Sequence, residues 1–138
     1  MPVKPEAALY RRLKENLNDS HITRIESRVN LGIPDCLVAL KHQHFVMIEL
    51  KVVKGGRKVN LSPHQIAFHA KHADLQMPTF ILVQYHPAGT ASATKAELLL
   101  FRGEQIMDVH HLGIDAVPLD RWPLSHVLWH MLRHHLTT

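Results

Sequence analysis

The chain has 138 residues, 46% hydrophobic and 20% charged, which suits one compact domain with a buried core and excludes a disordered polymer. Its longest apolar runs are four or five residues, too short for a membrane span, and the N-terminus lacks a secretory apolar segment, so we expect a cytoplasmic protein. A single cysteine, Cys36, excludes an internal disulfide or a thiolate zinc site, and we expect it to be a small buried residue.

The formal net charge is +4, and its distribution is uneven. Residues 1–60 carry 11 Lys and Arg against 6 Asp and Glu, whereas residues 61–138 carry 5 against 6. A basic half of this kind favours a polyanionic partner.

The first half of the chain predicts a helix followed by three strands. Leucines spaced four apart predict a helix over Pro5–Asn18, and alternation predicts a half-buried strand over Ile22–Val29. Asn30–Pro34 is a turn or strand break. Two strands at about 35–41 and 44–52 then form a hairpin.

A basic, glycine-containing loop at 54–58 separates the hairpin from a second helix. Ser62, Pro63 and Gln65 supply an N-cap, a proline at the first helical position and the partner for a capping box. We expect this helix to end near Leu75.

The second half predicts shorter elements. In chain order they are a strand at Thr79–Gln84, a loop at Pro87–Lys95, a strand at Ala96–Phe101, a segment at Gly103–His111 ambiguous between helix and strand, an irregular stretch at Pro118–Pro123 and a helix at Leu124–Leu136. The order predicts a single α/β domain (an α+β mixed sheet flanked by helices), with a core at about 6–101 and a C-terminal helical extension at about 102–138.

Two acids and a lysine stand at the margins of the hairpin strands. Asp35 precedes an apolar run, and Glu49 and Lys51 follow another and share one strand face. Buried charges need a partner, and carboxylate oxygens without cysteine suit Mg²⁺ or Mn²⁺. This pattern predicts a metal ion bound to a phosphate and hence metal-dependent phosphodiester hydrolysis. Asp35 and Glu49 would be the ligands, and Lys51 would lie near the phosphate or the attacking water.

This site requires a particular hairpin register. Opposed residues of an antiparallel pair share a face, so Asp35 must oppose Glu49 or Lys51, not Leu50. An even two-residue turn centred on 42–43 would put Asp35 on the wrong face. We therefore predict an odd loop or a bulge.

These residues resemble the PD-(D/E)XK nuclease signature. The fuller pattern is similar to the VRR-NUC and Holliday-junction-resolvase-like branch found in phages, and it comprises RIE at 24–26, GIPD at 32–35, IELK at 48–51 and LSPHQ at 61–65. The resemblance covers roughly residues 6–84, and residues 85–138 match nothing in it.

The resemblance implies a three-layer α/β/α restriction-endonuclease-like fold and a DNA endonuclease acting on branched or structured DNA. It implies Asp35 and Glu49 as metal ligands, Lys51 as the catalytic lysine and Gln65 beside the site. An upstream acid is also expected: Glu6 and Glu26 compete, and the context of Glu26 favours it. A homodimer is expected because cutting two strands symmetrically calls for two sites, in the cytoplasm of a bacterial cell or phage-infected host.

Other interpretations stay open at this point. Asp35 alone could cap a turn, and Glu49 with Lys51 could be a solvent-facing pair. Lys54, Arg57 and Lys58 are candidate nucleic-acid contacts, although the loop could be only a soluble turn. The alternative functions are a non-catalytic nucleic-acid-binding module on the same fold and a histidine-rich metal-binding regulator built on His126, His130 and His134.

Overall fold

The structure is a computed structural model that describes residues 5–25, 31–87 and 95–138. Four helices are formed, α1 (Pro5–Asn16), α2 (Pro63–Asp74), α3 (Ile106–Leu112) and α4 (Trp129–Thr137). The strands are β1 (Ser20–Arg24), β2 (Cys36–Leu40), β3 (Phe45–Lys54), β4 (Thr79–His86), β5 (Glu97–Arg102) and β6 (Asp120–Pro123). Predictions for Glu26, the end of the first strand and most of the loop after Pro87 lie outside the described residues.

One mixed sheet organises the described residues, with its six strands side by side in chain order. β3 and β4 are parallel and are joined by the α2 crossover, while every other neighbouring pair is antiparallel. A parallel pair needs such a crossover because a tight turn cannot connect strands that run the same way.

Helices cover both faces of the sheet. Leu9 and Leu13 of α1 and Leu132 of α4 lie in one apolar cluster with inward-facing strand residues. Ile106 and Val109 of α3 lie in a second cluster on the opposite face, against which α2 packs. The expected three-layer arrangement of a mixed sheet between helices is therefore confirmed.

The C-terminal region differs from the prediction in two places. The stretch predicted to be irregular contains β6, which pairs with β5 through partners such as Leu98 and Trp122. Four residues with one buried side chain give too weak an alternation to be recognised as a strand. The last helix begins at Trp129, later than predicted, because a 3₁₀ turn occupies Leu124–His126.

The hairpin turn is odd, as the site requires. β2 pairs with β3 from Cys36–Ile48 to Ala39–Phe45, and the Leu40 N–H then donates to the His44 carbonyl at 3.3 Å. Three residues therefore connect the strands, with His42 at a φ of 60°. Extending the register by one pair places Asp35 opposite Glu49.

Gly32 allows the segment before Asp35 to approach α2 closely. Its φ is +74°, and a Cβ added there would lie 2.1 Å from the His64 carbonyl oxygen. A glycine is required at this position because a side chain would meet backbone atoms of the first turn of α2. The contact brings the Asp35 segment beside the helix that carries Gln65.

We expect Gly32→Ala to lower the free energy of unfolding by about 2–4 kcal/mol, since it combines a positive φ with a backbone clash. Gly56→Ala is the matched control: its φ is +67° but nothing lies within 4 Å of the added Cβ, so it should cost about 1 kcal/mol. Urea unfolding followed by circular dichroism measures both. Equal losses would show that the close approach of Gly32 to α2 is not a rigid constraint.

Candidate active site

The two predicted acids meet at the junction of β2 and β3. Asp35 Oδ2 accepts a hydrogen bond from the Leu50 N–H at 2.8 Å, which fixes the aspartate against β3. The carboxyl of Glu49 is also hydrogen-bonded to Asp35. The register and these bonds bring both carboxyls to one place, although one Asp35 oxygen also has a structural role.

Glu49 is 1% exposed, although it is an acid in the middle of a strand. Burial, the hydrogen bond that the Glu49 carboxyl donates to Asp35 and the negative charge of Asp35 raise the pKa of Glu49 from 4.5 to about 10, while Lys51 lowers it. Without a cation, the carboxyl is therefore protonated at neutral pH and donates to Asp35.

The donor set fits a hard divalent cation. Glu49 Oε1 is buried and has no hydrogen-bond partner among the described residues, and the Asp35 carboxylate is its neighbour. A cation there would offset the cost of burying two negative charges, and oxygen donors suit Mg²⁺ or Mn²⁺. Within the described ranges, no group of three or more Asp, Glu, His or Cys side chains could hold an ion, so water or phosphate oxygens would complete the coordination.

Lys51 is held toward the same face by α2. Its Nζ donates to Gln65 Oε1 at 3.1 Å, and that oxygen also accepts the Ser62 N–H at 3.0 Å. The Gln65 N–H in turn donates to Ser62 Oγ at 3.1 Å, which completes the predicted capping box. Gln65 thus both caps α2 and orients Lys51, and two further ammonium donors remain for a ligand.

Of the two candidate upstream acids, Glu6 lies in the described part of the chain and Glu26 outside it. Glu6 lies in the first turn of α1, and its charge is the smallest of the effects that raise the pKa of Glu49. The resemblance to the nuclease family made both residues candidates, and the sequence context favoured Glu26.

His69 is a buried neighbour of the site, to which the sequence assigned no part in the acidic cluster. Its Nδ1 is hydrogen-bonded to Thr79 Oγ1 at 2.8 Å. Burial, with smaller effects of the His72 and Lys51 charges, lowers the pKa of His69 to about 4. The four-residue spacing from Gln65 places both on one face of α2 and is the signal that could have identified it.

The remaining sequence candidates fall elsewhere. Lys54 ends β3, and Arg57 and Lys58 follow it as exposed residues. Of the three spaced histidines, His126 lies in the 3₁₀ turn before α4, so the three do not share one helix, and the described residues hold no histidine metal cluster. Cys36 is buried as expected, and burial raises the pKa of its thiol to about 12.

The chain has a structural likeness among known proteins. No family model and no curated protein matches the chain. Among solved structures it is similar to Hjc, a Holliday junction resolvase of the archaeal hyperthermophile Archaeoglobus fulgidus. The identity is 14%, the TM-score is 0.46, and the match covers 72% of this chain and 75% of that chain. A likeness of this size assigns no function to this chain.

The buried Glu49 predicts a stability that depends on pH and on metal. Because the folded state raises the pKa of Glu49, the contribution of this carboxyl to metal-free stability is greatest below about pH 4.5 and is lost as the pH rises toward 10. At pH 8 in EDTA, Glu49→Gln should therefore unfold with a free energy at least about 2 kcal/mol higher than the wild type, since each pKa unit is worth about 1.4 kcal/mol.

Urea unfolding at pH 5 and pH 8 measures this gain, with the exposed Glu15→Gln as the charge-matched control. Added Mn²⁺ should stabilise the wild type and leave Glu49→Gln unchanged, because a ligand that binds only the folded state raises its stability. Equal stabilisation of both proteins by Mn²⁺ would argue against Glu49 as a ligand.

Proposed function

We propose that this protein is a Mg²⁺- or Mn²⁺-dependent DNA endonuclease of the PD-(D/E)XK superfamily. The observation that supports it most is the unpartnered oxygen of buried Glu49 beside Asp35, with Lys51 directed to the same face by Gln65. Burying that acid costs free energy, and a cation bound to its carboxylate would offset this cost. The alternative of a solvent-facing pair does not fit Glu49, which is 1% exposed, whereas Lys51 is half-buried.

The finer assignment is to the VRR-NUC and Holliday-junction-resolvase-like branch of phage-type nucleases. It is supported by the sequence pattern around Asp35 and Glu49. It is also supported by the close contact of Gly32 with α2, which explains why the pattern has a glycine before Asp35. A substrate of branched or otherwise structured DNA belongs to this finer proposal.

Each residue has a distinct task in the proposed reaction. A divalent cation, when bound, would polarise the scissile phosphate and lower the pKa of the attacking water. Asp35 and Glu49 supply its carboxylate ligands. Lys51 stabilises the negative charge that develops on the phosphate or orients the water, and Gln65 fixes the direction of the ammonium. Glu6 or Glu26 is the further acid that assists.

The proposal predicts cleavage of DNA that requires both the metal and these side chains. Linear, single-stranded, nicked and four-way DNA are incubated with the protein, with and without Mn²⁺, and the products are resolved on gels. Glu49→Gln and Lys51→Met should each reduce the rate by about 100-fold or more, as loss of a group that stabilises the transition state does. Lys71→Met, an exposed change on α2, is the matched control and should retain full activity.

The outcomes separate the functions. Full activity in Glu49→Gln would refute the assignment. Salt-sensitive DNA binding without cleavage in any divalent metal would favour the non-catalytic binding module. Glu6→Gln and Glu26→Gln, compared in the same assay, decide which is the assisting acid.

We further propose a homodimer, and an exposed apolar pair supports it. Phe45 is 62% and Met77 54% exposed, and the Met47 N–H donates to the Pro78 carbonyl, so the segments carrying them are neighbours. Light scattering should give twice the chain mass for the wild type and a monomer for Phe45→Ser, with exposed Val117→Ser still dimeric. A monomeric wild type at high concentration would exclude the dimer.

A further inference from the structure

The basic loop at 54–58 is held at both of its ends. Val53 before it and Val59 after it are buried in the apolar cluster on the α2 and α3 side of the sheet. Between them, the Gly55 N–H donates to the His86 carbonyl at 2.9 Å. The backbone of this loop is therefore anchored at both ends and at Gly55.

The middle of the loop is attached to the segment that follows α3. The Ile114 N–H donates to the Arg57 carbonyl at 2.9 Å. Gly113, at a φ of +59°, approaches so closely that an added Cβ would overlap the same carbonyl oxygen. The chain from α3 to residue 115, which lies outside the nuclease resemblance, thus positions the basic loop.

This contact creates a groove with a cationic rim. Its volume is about 410 Å³, and it is lined by Arg57, Lys58, His110, His111, Leu112, Gly113 and Asp115. The two histidine rings lie 5.1 Å apart and are exposed. Two cations and two imidazoles that can donate N–H bonds suit the phosphates of a nucleic-acid backbone.

Asp115 is the acidic residue of the groove, and its carboxylate forms an ion pair with Arg57. Its Oδ2 lies 2.9 Å from the Arg57 guanidinium, with side chains 48% and 77% exposed. An exposed ion pair is weak, and a phosphate can replace the carboxylate because arginine binds both in the same geometry. In the free protein, Asp115 is therefore paired with the guanidinium that a DNA phosphate would bind.

We propose that this groove binds the sugar-phosphate backbone of the DNA substrate, and that Asp115 lowers its affinity by holding Arg57 in the free protein. The inference rests on the proposed nuclease function. Arg57 is six residues beyond Lys51, so the two lie at most about 20 Å apart at roughly 3.3 Å per residue. One DNA segment can therefore reach both the groove and the acids.

The test measures DNA binding by fluorescence anisotropy in EDTA, where cleavage does not interfere, with a labelled four-way junction and a linear duplex. Asp115→Asn should bind about two- to fivefold more tightly than the charge-matched control Asp108→Asn, an exposed change on α3. In an Arg57→Gln background, Asp115→Asn should gain nothing over Asp108→Asn. Arg57→Gln alone should reduce the slope of log K against log salt by about 0.9.

Equal affinities of Asp115→Asn and Asp108→Asn would overturn the inference, as would the same gain without Arg57. Folding is checked by thermal unfolding, and Lys58→Gln tests the groove independently and should weaken binding. If the wild type cleaves DNA but these variants bind alike, only the groove is wrong. If the wild type neither binds nor cleaves DNA, the nuclease proposal and the groove both fail.

Discussion

The buried carboxyl of Glu49 is the constraint on which the rest of the site depends. An acid that is 1% exposed in a central strand is tolerated when it is protonated or bound to a cation, because an isolated buried charge is costly. Asp35 beside it makes the protonated form favourable without metal and the ionised pair favourable with one. In the proposed metal site, the same geometry that destabilises the metal-free charged state would provide the affinity for a cation.

Three secondary-structure junctions maintain this arrangement. The odd β2–β3 turn sets the register that brings Asp35 to Glu49, and Gly32 lets the Asp35 segment contact the start of α2. The capping box then uses Gln65 twice, since its side-chain oxygen closes the helix end and receives Lys51. Stabilising α2 and orienting the lysine consequently depend on the same side-chain oxygen.

The sheet also connects the site to the C-terminal region. β3 carries Glu49 and Lys51, and it continues into the basic loop that the segment after α3 holds in place. β6 and α4 complete the sheet and the apolar cluster on the opposite face. No helix in the described part of the chain is long and apolar enough to cross a membrane.

The sequence by itself determined the elements whose signals are local: the α1 and α2 periodicities, the Ser62 cap, the hairpin strands and the residue types of the acidic site. It also limited the hairpin to an odd turn, because side chains alternate along a strand and Asp35 had to reach Glu49. The effect of the Glu6 charge on the pKa of Glu49, the burial of His69, the strand at Asp120–Pro123 and the Arg57–Asp115 pair were decided only by the tertiary structure. These features depend on contacts between residues far apart in sequence, and the periodicity of one segment does not say which distant segment it meets.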